Sequence, residues 1–156
     1  MASRREPFAL YLDTSALVKL FVAETGSAKV RALAGGRAGA DILLASRLGY
    51  TEASVSLARM VHLGRLPATL LARHLGALER YWDESIETVD LSEDVLRGAQ
   101  QLAQQFPLRT YDAIHLSSAR EAQRMLRGRF AGEIRFLAFD EGLNRAARAL
   151  GFSVPL

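Results

Sequence analysis

The sequence predicts an α/β domain in which a mostly parallel sheet of four to five strands carries helices on both faces. Two observations lead there: short apolar runs alternate with longer segments of helical spacing, and several of those segments open on capping residues. At 156 residues, 49% of them hydrophobic and with only 4 prolines, the chain has the size of one ordinary domain. No linker, low-complexity tract or internal repeat interrupts it. One domain over residues 1–156 is expected, with residues 1–7 as a loose start.

The elements follow in chain order. "FALYL" (8–12) reads as a first strand and runs straight into "DTSALVKLFV", whose Asp/Thr/Ser opening reads as a capped helix. "DILLAS" (41–46) is a second buried strand. Two helical stretches follow, "RLGYTEASVSLARMVHLG" and, after Pro67, "ATLLARHLGALERYWDES". "IETVDL" (86–91) is a third strand candidate. "SEDVLRGAQQLAQQF" opens with a capping pattern, and "RTYDAIHLSSA" begins a further helix. "IRFLAF" (134–139) is a fourth strand leading into "DEGLNRAARALG", a closing helix ended by Gly151. "FSVP" is a candidate short edge strand.

Composition narrows the function. Without cysteine, disulfides and thiolate metal ligands are excluded. The histidines His62, His74 and His115 lack zinc-ligand spacing. The apolar runs are too short to span a bilayer, no charged start leads into an apolar centre, and the expected location is cytoplasmic. With 20 basic residues against 17 acidic ones the net charge is +3. That favours an anionic partner weakly, although solvated helix faces explain it equally well.

In parallel α/β sheets, ligands bind outside the carboxyl ends of the strands, near the point where strand order reverses. Asp13 ends the first strand and Asp140 ends the fourth. Either acid alone is accounted for as a helix N-cap, worth about 1 kcal/mol. Asp112 shares a helical stripe with Leu116, Ala119 and Leu126. The helix dipole favours an acid in a first turn by at most about 1 kcal/mol, which does not cover the cost of facing a core. Glu52 lies outside the apolar arc of its helix, and periodicity alone makes it an exposed acid paired with Arg59 or with nothing. If these four acids converged, their oxygens would suit a hard cation such as Mg²⁺ or Mn²⁺, which activates water and offsets charge on a phosphate. The remaining 13 acidic residues would then face 20 basic ones, a balance suited to a phosphodiester substrate.

Four blocks, "YLDTSALVKLF", "SRLGYTEASVSLARM", "LRTYDAIHLSSA" and "FLAFDEGLNRAARALGF", resemble in order and spacing those of PIN-domain ribonucleases, most of all the VapC toxins of toxin–antitoxin pairs. The resemblance runs from about Phe8 to Phe152. It implies a PIN-like three-layer sandwich and Mg²⁺-dependent cleavage of RNA, with Mn²⁺ able to substitute. It assigns catalytic roles to Asp13, Glu52, Asp112 and Asp140. Asp13 and Asp112 would hold the metal most directly, Glu52 and Asp140 directly or through water, and Ser15 would support the network. Glu141, directly after Asp140, leaves open which acid of the last block points inward. The resemblance also implies a cognate antitoxin protein and a homodimer.

Other residues have two readings. Arg47 and Arg109 are candidates for RNA contact or counter-ions to the acids. His115 reads as a supporting core histidine more readily than as a general base. Trp82 and Tyr81 fit packing better than base stacking. A haloacid-dehalogenase-type phosphatase would need a second Asp where Ser15 stands. A receiver domain would need a central-strand Asp and a late Lys, neither of which is found. The remaining alternatives are a non-catalytic PIN-like module that binds RNA or protein, and a housekeeping PIN nuclease.

Overall fold

The computed structural model describes residues 5–36 and 38–156. Among the described residues, four strands form one sheet: β1 (Phe8–Leu12), β2 (Ile42–Ser46), β3 (Ile86–Val89) and β4 (Glu133–Leu137). All three pairings are parallel, in the order β3-β2-β1-β4. The chain therefore steps outward from β1 to β3 and then returns to the other side of β1. Strand order reverses between β1 and β4. The candidate edge strand "FSVP" contributes a single parallel bridge, Ser153 to Arg135.

Each side chain of β1 is buried, because helices cover both faces of the sheet. Ala9, Tyr11, Leu44, Val89, Phe136 and Ala138 point to one face. There they meet α5 (Glu93–Gln105), α6 (Thr110–Leu126) and α7 (Glu141–Ala149) through residues such as Leu102, Leu116 and Leu143. Phe8, Leu10, Leu12, Leu43, Ala45 and Leu137 point to the other. That face is covered by α1 (Thr14–Val18), α2 (Ser27–Ala34), α3 (Arg47–His62) and α4 (Ala68–Ser85). The result is a three-layer sandwich in which each fully buried Leu or Phe contributes about 2 kcal/mol. Trp82 packs in this second cluster, edge-on to Tyr50 at 5.2 Å, and Tyr81 packs edge-on to Phe21 at 5.7 Å. Both aromatics serve packing.

Two segments differ from the expectation. The helix expected over 13–22 stops at Val18, and Leu20 and Phe21 close tighter bonds to Leu17 and Val18. The run from Ala16 to Val22 is apolar on nearly every side, and a continuous helix could bury only one stripe of it. The turn lays Leu20, Phe21 and Val22 on the cluster as well. Helix α2 carries no sequence assignment, since "SAKVRALA" offers the core little beyond Val30 and Ala34. Elsewhere α5 and α6 approach so closely that a Cβ on Gly98 would stand 2.4 Å from Ser117 Oγ. That Ser117 hydroxyl donates to Val95 O at 2.7 Å.

Of the expected loose start, residues 1–4 lie outside the described residues. Arg5 makes a two-pronged ion pair with Asp41 at 2.8 and 3.0 Å, and Asp41 also accepts the Phe8 N–H at 2.9 Å. Among the described residues no helix is long and apolar enough to cross a membrane.

Candidate active site

The reversal between β1 and β4 opens a pocket of about 290 Å³ at the carboxyl ends of the strands. Asp13, Glu52, Asp112 and Asp140 all line it, with Ser15, Arg109 and His115. Four separate chain segments thus deliver one carboxylate each.

Asp13 follows β1 directly and caps α1. It accepts from the Ala16 N–H at 2.9 Å and the Ser15 hydroxyl at 2.7 Å. The Asp13 N–H donates to Leu137 O at 3.1 Å, and the Phe139 N–H donates to Ser15 Oγ at 3.0 Å. These bonds tie the end of β1 to the end of β4. Asp13 itself is only 6% exposed. Burial pushes its carboxyl above the usual range, His115 and the two hydrogen bonds pull the other way, and Asp112 adds to the rise. Taking a carboxylate out of water costs several kcal/mol, whereas a cap returns about 1. The capping role alone therefore leaves the burial of Asp13 unexplained.

Asp112 occupies the first turn of α6. Its stripe does contain the buried Leu116, Ala119 and Leu126. The helix start, however, overhangs the pocket, so Asp112 faces that pocket, half-buried, and not the core. Its partner is Arg109, whose Nε donates at 2.9 Å while another nitrogen of the same guanidinium lies 3.7 Å from Asp140. Arg109 is thus a counter-ion to two of the acids. Arg47 instead pairs with Asp90 at 3.6 Å and does not line the pocket.

Glu52 is not paired with Arg59 and is not exposed. The Thr14 hydroxyl donates to its Oε2, and His115 Nε2 lies 2.7 Å from the same oxygen. His115, buried in α6, meets the Tyr11 hydroxyl through Nδ1 at 3.0 Å. Burial, foremost, keeps the Tyr11 phenol protonated, and an ionised Glu52 can only accept, so Nε2 carries the proton that faces it. For Glu52, burial acts to raise the carboxyl, but the bonds from His115 and Thr14 outweigh it and hold the group below its ordinary range. The signal for this pairing was present in sequence only as the polar Tyr11, Thr14 and His115, on three apolar segments.

Asp140 caps α7, accepting from the Leu143 N–H at 2.8 Å. The Asn144 amide donates to Ala138 O at 3.0 Å and fixes the turn that presents it. Glu141 points away and pairs with Arg148 at 3.5 Å. Asp140, and not Glu141, therefore lines the pocket.

The carboxylates form an oxygen donor set centred on a buried acid that makes no salt bridge with a Lys or Arg among the described residues, which suits a hard divalent ion. As the side chains stand, among the described residues no three Asp, Glu or His groups are close enough to hold one. Arg109 holds Asp112 and reaches Asp140, while His115 and Thr14 hold Glu52. A larger cleft of about 410 Å³ between α5 and α6 is lined by Arg97, Arg120, Arg124 and Arg127. It contains only one acid, Asp94, and offers no comparable donor set.

A sandwich of this topology with acids gathered at the strand reversal defines a PIN-type domain. The PIN domain family pattern matches residues 10–149, and the chain belongs to that family. Among named relatives, Ribonuclease VapC45 of Mycobacterium tuberculosis is 38% identical over 110 residues, 70% of this chain and 74% of that protein. The crystal structure of Mycobacterium tuberculosis VapC20, a sarcin–ricin loop cleaving toxin, superposes with a TM-score of 0.64 at 15% identity, covering 92% of this chain and 95% of that one. A toxin–antitoxin complex from Klebsiella pneumoniae matches with a TM-score of 0.56 at 16% identity, over 84% and 86% of the two chains. The two solved structures share the fold.

Proposed function

We propose that this protein is a divalent-metal-dependent endoribonuclease, using Mg²⁺ or Mn²⁺, and the toxin of a toxin–antitoxin pair. The observation that carries the reading is the convergence of Asp13, Glu52, Asp112 and Asp140 in one pocket around a buried carboxylate. The 38% identity to a VapC ribonuclease supports it. Asp13 and Asp112 would hold the ion, with Glu52 and Asp140 completing the pocket directly or through water. A bound ion would lower the pKa of a water and offset the charge building on the phosphate. Ser15 fixes the rotamer of Asp13. His115 and Thr14 aim Glu52 into the pocket as an ionised acceptor, able to orient the attacking water. Arg109 must release Asp112 and Asp140 when the ion enters, and its exposed guanidinium is then free at the mouth to meet a phosphate.

The fold likeness to a toxin–antitoxin complex supports a small antitoxin as partner. A homodimer is part of the same reading. The test is cleavage of labelled RNA with Mg²⁺, with EDTA, and with Asp13→Asn and Asp112→Asn. Cleavage that needs the metal and both acids is expected; undiminished cleavage by either variant would overturn the assignment. Binding of RNA without cleavage under any metal would identify a non-catalytic PIN-like module. A neighbouring short reading frame with a DNA-binding start would separate a toxin from a housekeeping nuclease.

A further inference from the structure

Two aromatic side chains stand open on the rim of the acidic pocket. Tyr111 is 57% exposed and Phe139 37% exposed, and both line it. Each immediately precedes a pocket acid, Asp112 and Asp140, on a different element. Neither belongs to a core cluster.

Phe139 is not merely left over at the surface. Its backbone N–H donates to Ser15 Oγ at 3.0 Å. The Lys19 ammonium lies over its ring, 4.6 Å from the centroid, and is itself held by Glu24 at 2.8 Å. Gly26, at φ 91, makes room for the ring edge, since a Cβ there would stand 2.6 Å from Phe139 Cε1. A lysine over one face and a left-handed glycine at the edge hold a phenyl ring that is still partly open to water, while the serine holds its backbone. Fixing an apolar ring without burying it fits a surface built to receive something flat.

Resting on the ribonuclease reading, we propose that Tyr111 and Phe139 are stacking platforms for nucleobases on either side of the scissile phosphate. A phosphate held at a cation among the acids between the two rings would bring its neighbouring bases within reach of both. Stacking tolerates any base, because each has a π-face, but it requires bases free of a duplex.

The test uses a short single-stranded oligoribonucleotide carrying 2-aminopurine, whose fluorescence falls on stacking, mixed with the protein and Mg²⁺ in a stopped-flow cell that reads binding before cleavage. The wild type should quench it. Tyr111→Ala and Phe139→Ala should each weaken the affinity ~10-fold, while Tyr111→Phe and Phe139→Tyr should retain it. The same strand annealed to its complement should compete poorly. Equal affinity of the alanine variants, or equal competition by duplex, would overturn the proposal and leave the rings to a protein partner. Cleavage of a mixed RNA pool with Mg²⁺ keeps the two readings apart. Asp13-dependent cleavage without aromatic-dependent quenching sinks the platforms alone; quenching without cleavage sinks the hydrolytic reading.

Discussion

The two ends of the sheet treat a carboxylate in opposite ways. At the amino end, Asp41 is met by two bonds from Arg5 and one from the Phe8 N–H, and those bonds hold its carboxyl below the usual range. At the carboxyl end, Asp13 is nearly buried and receives only a hydroxyl and an N–H. Asp41 is a group whose ionisation helps the fold. Asp13 is one whose ionisation the fold tolerates at a cost, and such groups collect where function is placed.

The widest gap between the ends should appear on removing one charge from each. Asp13→Asn should reduce RNA cleavage by about 100-fold or more and, in EDTA, raise the melting temperature. The sign follows from its raised pKa. Ionisation of Asp13 destabilises the fold as pH rises above the ordinary carboxylate range, so the gain from Asn should grow as pH rises from that range and vanish in acid. A lower melting temperature for this variant at neutral pH would contradict the contrast.

His115→Ala and Tyr11→Phe loosen the support of Glu52 without removing an acid. Each should cost roughly 10- to 100-fold in cleavage rate or in Mn²⁺ affinity, the range for residues that orient ligands. Calorimetric titration with Mn²⁺ measures the affinity directly. Arg109→Met removes the cation that competes for Asp112 and Asp140, and in the same titration should tighten Mn²⁺ binding ~2- to 5-fold, the scale of an exposed ion pair. Weaker binding would assign Arg109 a supporting role. Asp41→Asn should leave cleavage unchanged while lowering thermal stability. Because the Asp41 carboxyl is held down in the fold, its contribution is present above the ordinary carboxylate range and lost as pH falls through its lowered value. The variant and wild type should therefore converge in acid melts.

Much of the architecture is legible in the sequence because it rests on local rules. Strand-then-acid at Asp13 and Asp140, the Ser92 cap of α5 and the long amphipathic helices follow from periodicity and capping. Helix α2 was not legible, since it has little apolar pattern and opens on Gly26 without a side-chain cap. The role of Glu52 was hidden for a different reason. Its partners His115 and Thr14 are 63 and 38 residues away, and only the packing of α1 on α3, with α3 and α6 both against β2, brings them together. Periodicity placed Asp112 on a core stripe because a stripe does not reveal where a helix projects past its sheet. The choice of Asp140 over Glu141 likewise needed the geometry of the α7 cap.

The stitch between Ser15 Oγ and the Phe139 N–H joins residues 124 positions apart, and its neighbour joins the Asp13 N–H to Leu137 O. Of the four described strands β4 is made last, and Phe139 and Asp140, which follow it, supply one wall of the pocket. A chain emerging from the ribosome can assemble β1 to β3 and their helices, yet it has no enclosed acidic pocket until β4 docks beside β1. The order of synthesis thus acts as a timer, withholding the pocket from the nascent chain until β4 has emerged.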